Sequence, residues 1–102
     1  MATTRDYKDF VLENLSPIGD ISCRQMMGEY LLYYQGTLFG GIYDNRFLIK
    51  MTINNKQFNL PEVKPYDNAK NMYLVENLYD IDAMKSIIYE TVKDLINGIN
   101  AT

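Results

Sequence analysis

The chain contains no histidine and a single cysteine, Cys23, among its 102 residues. Without histidine, a catalytic triad or a cysteine nucleophile paired with an imidazole base is excluded. The usual zinc ligand sets and an intramolecular disulfide are excluded as well, because both need further cysteine or histidine side chains. A metal site would have to use carboxylates alone, and no D-x-D-x-D-G calcium loop occurs. These absences remove most familiar catalytic and metal centres.

The chain also lacks a basic excess and a long apolar run. Ten Lys and Arg residues stand against 13 Asp and Glu, giving a formal net charge of −3, which argues against non-specific binding to phosphate backbones. The longest apolar stretch, residues 30–34, is far too short to span a membrane. Charged residues interrupt the first fifteen positions, so we expect no signal-peptide core, no membrane association and a cytoplasmic protein.

Helical periodicity occurs at both ends of the chain. Apolar residues at helical spacing predict a first helix over residues 4–15, which Thr3 and Asp6 begin and Ser16-Pro17 ends. A final helix is expected after a cap at Asp80 or Asp82. Its apolar positions recur every three or four residues, and Gly98 followed by Ile99 fits a left-handed C-cap with an apolar closing contact. These apolar positions are Met84, Ile88, Val92, Leu95 and Ile99.

Three strands are predicted between the helices, over residues 29–34, 37–43 and 46–51. Two-residue turns at Gln35-Gly36 and Asp44-Asn45 join them. The first turn predicts that Tyr33 lies opposite Leu38 and Leu32 opposite Phe39, and the second that Ile42 lies opposite Phe47. Shorter strands are expected at residues 21–24 and 72–76, and a helical turn near residues 56–60. Gly40, in mid-strand, indicates a bulge or the close approach of a helix. The sequence therefore predicts one α+β domain over residues 1–102: an antiparallel sheet of four to five strands, a β-meander, flanked by N-terminal and C-terminal helices.

Side-chain alternation divides the predicted meander into two faces. One face carries no charge and is expected to lie under helices; it holds Leu31, Tyr33, Leu38, Gly40, Ile42, Phe47, Ile49 and Met51. The other face is aromatic and aliphatic with cations toward one edge, which is typical of a contact surface. Unless a helix or the following loop covers it, we expect this face to bind a protein partner or a second copy of the chain. Its partner-binding residues would be Tyr30, Leu32, Tyr34, Phe39, Tyr43, Arg46, Leu48 and Lys50.

The order and spacing of residues in the central segment resemble a known family. Residues 24–30, RQMMGEY, and the later pairs Phe39-Gly40, Pro65-Tyr66 and Ala69-Lys70 are similar to the TfoX/Sxy N-terminal domain. Met27 stands where that family usually has Phe, and Leu31 where it has Gly. The positions that match the family motif are Arg24, Gly28, Tyr30, Gly36, Phe39, Gly40, Lys50, Tyr66 and Lys70.

The resemblance implies a fold and a biological context. The implied fold is a two-layer α+β arrangement of the secretion-chaperone-like and YjbR-like kind. Longer members of the family carry a C-terminal helical domain and regulate natural competence, acting with the cyclic-AMP receptor protein at promoters; residues 1–102 resemble the N-terminal domain alone. The resemblance therefore implies a regulatory module whose partner is a regulator or part of the transcription machinery.

Two alternatives to a protein-interaction module stay open. The cations Arg24, Arg46, Lys50 and Lys70 would suit a nucleic-acid-associated transcriptional regulator, since a cation beside an aromatic ring can bind a phosphate or stack on a base. The net charge of −3 favours a protein partner over nucleic acid. The second alternative is a domain with a Tyr-lined cleft that binds a small molecule or has a minor enzyme activity.

The carboxylate residues that could form a catalytic pair each have a structural explanation in this sequence. Asp44 suits a turn, Glu29 the start of a strand, where it could pair with Arg24, and Asp80 a helix cap. Cys23 has no histidine to activate it. We therefore predict no enzyme, no cofactor and no metal.

Overall fold

The computed structural model describes residues 2–98 and has two helices and a six-stranded antiparallel sheet. The predicted α+β class and flanking helices are confirmed, with one strand more than the upper predicted number. The strands run in the spatial order β1-β2-β3-β4-β6-β5. The element bounds are α1 Arg5–Leu15, β1 Ile21–Met26, β2 Glu29–Tyr34, β3 Thr37–Ile42, β4 Phe47–Ile49, β5 Glu62–Val63, β6 Met72–Leu74 and α2 Ile81–Ile96, with 3₁₀ turns at Ser16–Ile18 and Asn54–Phe58.

Side-chain caps begin both helices. The Thr4 hydroxyl accepts a hydrogen bond from the backbone N–H of Tyr7, so Thr4 rather than Thr3 is the N-cap of α1. Asp80 caps α2 by accepting from the Ala83 N–H, as one of the two predicted alternatives had it. Gly98 has the predicted left-handed φ of +73° after α2, while Ile99 lies outside the described residues.

Three two-residue turns connect the first four strands. Both central residues have positive φ in each turn, a backbone twist that matches the flanking antiparallel strands. Two of these turns were predicted; the first, between β1 and β2, was not. The turns are Met27-Gly28, Gln35-Gly36 and Asp44-Asn45.

A β-bulge between β2 and β3 changes which side chains face the helices. Tyr33 pairs with Leu38, but Leu32 pairs with Gly40, which leaves Phe39 as an extra residue. The predicted pairing of Leu32 with Phe39 is therefore wrong, whereas the bulge that Gly40 indicated is confirmed. Because a slip of one residue moves every later side chain to the opposite face, the predicted faces are exchanged along β2 and the start of β3.

The exchange buries residues that were expected to be exposed. Tyr30, Leu32, Tyr34 and Phe39 belong to the helix-covered core or pack against it, not to the open face. Leu31, Tyr33 and Leu38, which were expected to be buried, are half-exposed and lie outside the core cluster. Beyond the bulge the prediction is correct: Gly40, Ile42, Phe47 and Ile49 are all buried on the core side.

Both helices pack on the same face of the sheet. Fully buried side chains of α1 and α2 meet those of β2, β3 and β4 in one apolar cluster, and the two helices contact each other. No helix covers the opposite face within the described residues 2–98, so the molecule has two layers. The fully buried members of the cluster are Val11, Leu15, Leu32, Phe39, Ile42, Phe47, Ile49, Met84 and Ile88.

A buried carboxylate fixes the 3₁₀ turn to α2. Asp94 is fully buried and accepts hydrogen bonds from the backbone N–H of Asn54 at 2.8 Å and from its side-chain Nδ2 at 2.6 Å. Desolvation raises the pKa of Asp94, but the nearby Thr52 hydroxyl and the two hydrogen bonds from Asn54 lower it, so the pKa lies below its ordinary value. The buried group is therefore held in its charged form.

The neighbouring amide of Asn55 extends the same attachment. Asn55 is fully buried; its Nδ2 donates to the Lys50 carbonyl at 2.8 Å and to the Thr91 hydroxyl at 2.9 Å. Its Oδ1 accepts from the Thr52 N–H at 2.9 Å. One side chain thus ties the end of β4 to α2. Asn55 belongs to the 3₁₀ turn Asn54–Phe58, which overlaps the helical turn predicted near residues 56–60.

Glu29 ties the N-terminal segment to two hairpin tips. Its Oε1 accepts from the Thr3 N–H at 3.0 Å and the Thr3 hydroxyl at 2.7 Å, and its Oε2 accepts from the Asp44 N–H at 3.1 Å. The Thr3 hydroxyl in turn accepts from the Asn45 N–H at 3.2 Å. Glu29 therefore does not pair with Arg24, the explanation offered by the sequence.

We expect the Glu29→Ala variant to lose about 1–2 kcal/mol of unfolding free energy, because the Thr3 N–H, the Thr3 hydroxyl and the Asp44 N–H lose their acceptor. Solvent reaches this site in part and limits the loss. Chemical denaturation measures the loss, with the exposed Glu76→Ala as the matched control. Equal stabilities for the two variants would contradict this role for Glu29.

Candidate protein-binding face

The face of the sheet away from the helices, called the outer face, is built from aligned rows of side chains. The first row crosses β1, β2, β3, β4 and β6 through Arg24, Leu31, Gly41, Leu48 and Leu74. The second row begins with Ser22, Tyr33 and Leu38. The leucines at positions 31, 38 and 74 are half-exposed, so this face presents apolar surface to solvent.

Three tyrosines lie together on the outer face, and we call Tyr33, Tyr43 and Tyr66 the outer tyrosine cluster. The rings of Tyr43 and Tyr66 have centroids 6.2 Å apart. Burial raises the pKa of Tyr43, and the neighbouring Tyr66, Glu29 and Tyr33 raise it further, so its hydroxyl stays protonated at neutral pH. The cluster thus places tyrosine hydroxyl groups at the edge of an apolar surface.

The Tyr43 ring lies over Gly41, where a side chain would be in the way. A Cβ added to Gly41 would lie 2.8 Å from Cε2 of Tyr43. Leu48, the neighbour of Gly41 on β4, is fully buried although it points to the side away from the helices. Because Gly41 has no side chain, the Tyr43 ring can pack directly against the backbone of the sheet.

Arg46 holds the loop that carries Tyr66. Its Nη1 donates to the Lys64 carbonyl and its Nη2 to the Pro65 carbonyl, both at 3.1 Å, while its Nε donates to the Tyr43 carbonyl at 3.2 Å. These three bonds fix the segments on which two of the clustered tyrosines stand. Arg46 is therefore a positioning residue of the outer face, and its guanidinium is already occupied by backbone carbonyls.

The predicted partner-binding residues fall on different sides of the sheet. Tyr30 lies beneath Lys8 of α1, with the ammonium 5.7 Å from the ring centroid, and Tyr34 lies 5.5 Å from the Tyr89 ring of α2. The exposure expected for Leu32, Phe39 and Leu48 is wrong, since all three have no accessible surface. Tyr43 and Arg46 are the predicted residues that belong to the outer tyrosine cluster and its support; whether any of the eight contacts a partner stays a prediction.

The four cations considered for nucleic acid do not form one patch. Arg24 lies on the edge strand β1, whereas Arg46 precedes β4, three strands or about 14 Å away. Arg24 and Lys70 are exposed, Lys50 is half-buried, and Arg46 is occupied as described. Phosphate backbones are bound by clustered cations, so this distribution offers little to a nucleic acid.

A shallow groove of about 450 Å³ lies between the end of α1 and the start of α2. Tyr79 is its one tyrosine, 78% exposed and packed edge-to-face against Phe10 at 5.9 Å. Glu13 is its one ionisable group besides Tyr79. This groove is the described feature nearest to the Tyr-lined cleft considered from the sequence, and it brings no pair of acid and base groups together.

Metal-ligand and thiol chemistry find little support in the described part of the chain. No group of three or more Cys, Asp or Glu side chains in residues 2–98 is arranged to hold a metal ion. Burial raises the pKa of the Cys23 thiol, partly opposed by the charge of Lys8, and disfavours the reactive thiolate. No helix in residues 2–98 is both long enough and apolar enough to cross a membrane.

Comparison with known proteins agrees with the resemblance carried by the motif. The family model described as the TfoX N-terminal domain matches residues 13–94. The chain belongs to this family. An uncharacterised 12.7 kDa protein from the trpE 5′ region of Spirochaeta aurantia is 33% identical over 82 residues, which cover 78% of this chain and 71% of the relative.

The family motif of this TfoX N-terminal domain divides into buried and exposed positions. Phe39 is the extra residue of the bulge, and Gly40 allows β4 to approach β3 closely. Gly28 and Gly36 are the second residues of two-residue turns. Arg24, Tyr66 and Lys70 are exposed and have no such structural task. Sequence reasoning missed Leu31 and Leu38 as outer-face residues because alternation alone does not reveal the bulge between them; the Gly40-Gly41 pair was the available indication.

Proposed function

We propose that this TfoX N-terminal domain is a non-enzymatic regulatory module that binds another protein through its outer face. The observation that carries the proposal is the outer tyrosine cluster, held by Arg46 on a sheet face that neither helix covers. Tyrosine and arginine are enriched where protein interfaces concentrate their binding energy. Fixed aromatic side chains also lose little conformational freedom when a partner binds.

The side chains of the outer face indicate what kind of partner surface would bind to it. An apolar area on the partner would complement the half-exposed Leu31, Leu38 and Leu74, and polar groups at its margin would form hydrogen bonds with the clustered tyrosine hydroxyls. The partner is therefore a protein with an apolar patch bordered by hydrogen-bonding groups. Transcription regulators are the class that family membership suggests.

Replacing Tyr33 and Tyr66 with serine should weaken partner binding at least tenfold, because clustered interface tyrosines each contribute about 1–2 kcal/mol or more. The partner is recovered by affinity capture from the native cell, and its dissociation constant is then measured by calorimetry with the purified proteins. Tyr79→Ser is the matched control, since Tyr79 is 78% exposed and lies in the groove beside α1 and α2. Unchanged affinity in the double variant, with the fold intact, contradicts the proposed face.

Nucleic acid is the less favoured partner on this structure. The cations are dispersed and the formal net charge is −3. Binding through them would decline steeply with salt, because it would depend on release of counterions from phosphates. Retention of the recovered partner at high salt and after nuclease treatment separates the two functions.

A further inference from the structure

One edge of the sheet is open along a full strand. β1 lies at the end of the strand order and is six residues long, and it is paired with β2 on one side alone. Ser22, Arg24, Gln25 and Met26 are exposed, and within residues 2–98 no backbone group pairs with its outer side. An edge of this kind is a template for the addition of another strand.

Most of the usual protections of an edge strand are missing from β1. It contains no proline and no lysine, its one charged residue is Arg24, and its pairing with β2 runs without a register shift. The opposite edge, β5, is protected in the ordinary way, since it is two residues long and lies between Pro61 and Pro65. The two edges therefore differ, since β1 is long enough to pair with another strand and β5 is not.

The turn between β1 and β2 determines which backbone groups point outward. Met26 and Glu29 close a two-residue turn and so form a hydrogen-bonded pair, after which bonded and non-bonded pairs alternate. The bond from the Gln35 N–H to the Asp20 carbonyl, at 3.0 Å, fits the same alternation at the other end of the strand. The N–H and C=O groups of Ile21, Cys23 and Gln25 are therefore directed away from the sheet.

We propose that two copies of the chain pair through β1 in antiparallel fashion and form one continuous twelve-stranded sheet. A twofold axis requires each outward-directed residue to lie opposite another outward-directed residue. This condition leaves two registers in which five residues of β1 pair with five of the second copy. In one register Cys23 lies opposite Cys23 of the second copy, and in the other Arg24 lies opposite Arg24.

Charge selects between the two registers. Like charges directly opposite each other destabilise an antiparallel pair, so the register with Arg24 on the axis is disfavoured. In the register centred on Cys23, each Arg24 lies opposite Ser22 of the second copy. The outward groups of Ile21, Cys23 and Gln25 all find partners there, because Ile21 pairs with Gln25 and Cys23 with itself.

The exposed end of β1 supports a second copy as the occupant. Met26 is 52% exposed and Met27 is 96% exposed, which makes the tip of this hairpin an unusually open apolar site. In the selected register, Met26 lies opposite Asp20, the residue that precedes β1 of the second copy. Pairing therefore brings the exposed Met26 side chain to the interface and satisfies the open backbone groups of β1, and twofold symmetry repeats both contacts.

Charge at Ser22 tests the register without touching the backbone. Ser22→Glu places a carboxylate opposite each Arg24 and should tighten the dimer about threefold to tenfold, while Ser22→Lys should weaken it by a similar factor. Sedimentation equilibrium of the full chain measures the dissociation constant. Thr37→Glu and Thr37→Lys, on β3, which β2 separates from the β1 edge, are the matched controls and should leave the constant unchanged.

Amide hydrogen exchange distinguishes the edge from the outer face as the site of pairing. In the dimer the amides of Ile21, Cys23 and Gln25 should exchange slowly, and dilution should release these three while those of Ser22 and Arg24 stay protected by β2. A chain that sediments as a monomer at all concentrations overturns the proposal. A dimer that is indifferent to charge at Ser22, or whose three outward amides stay unprotected, overturns it as well.

Discussion

Replacing Gly40 with alanine is expected to cost the domain about 3 kcal/mol or more, a large part of the total stability of a chain this size. A Cβ at this position would overlap the Leu48 carbonyl oxygen and lie 2.9 Å from Cα of Ile49. Both contacts are with the backbone of β4, which cannot rotate away as a side chain would. The added methyl group must therefore separate β3 from β4 at the centre of the sheet.

Thermal unfolding followed by circular dichroism measures this effect. Thr37→Ala lies in the same strand at a half-exposed position and should lower the unfolding free energy by less than about 1 kcal/mol. Similar melting temperatures for the Gly40→Ala variant and the wild-type chain would show that β3 and β4 do not approach as closely as described.

Replacing Asp94 with asparagine should cost about 2–3 kcal/mol at neutral pH, because the buried donors of Asn54 exchange a charged acceptor for a neutral one and a new amide N–H₂ must be accommodated. Glu90→Gln is the matched control on the same helix. Glu90 forms an ion pair with Lys93 across 3.8 Å near the surface, so its replacement should have little effect.

The cost of the Asp94→Asn substitution should also depend on pH. Because the pKa of Asp94 is lowered in the folded protein, the unfolded chain binds more protons between the two pKa values. The stability from ionised Asp94 is therefore fully present above the ordinary value of 3.8 and is lost as the pH falls through the lower folded pKa. Denaturation series at neutral and acidic pH should converge for wild type and Asp94→Asn; a constant difference would contradict the assignment.

The parts of the fold that depend on neighbouring residues were predictable from the sequence. Two turns, the helix cap at Asp80 and the Tyr33–Leu38 and Ile42–Phe47 pairs follow from local chemistry and strand alternation. The meander and its flanking helices are confirmed for this reason. Local rules suffice wherever both partners of a contact lie within a few residues of each other.

The candidate site was less predictable, because one extra residue decides it. Phe39 occupies the bulge, and nothing in a strict alternation of faces shows that Leu38 and Gly40 lie on opposite sides. The contacts of Glu29 with Thr3 and of Asp94 with Asn54 join residues 26 and 40 positions apart. Such long-range polar contacts leave no periodic pattern in the sequence.

The three two-residue turns also suggest an order of folding. Strands β1 to β4 each pair with the next strand in the chain, so these contacts close short loops and can form rapidly. The helical layer is different, because α1 and α2 come from opposite ends of the chain to cover one face. Closing that long loop carries a larger entropic cost. Docking of the two helices is therefore expected to be the slow step of folding. During synthesis on the ribosome, the chain would form most of the meander before α2 is available to cover the core.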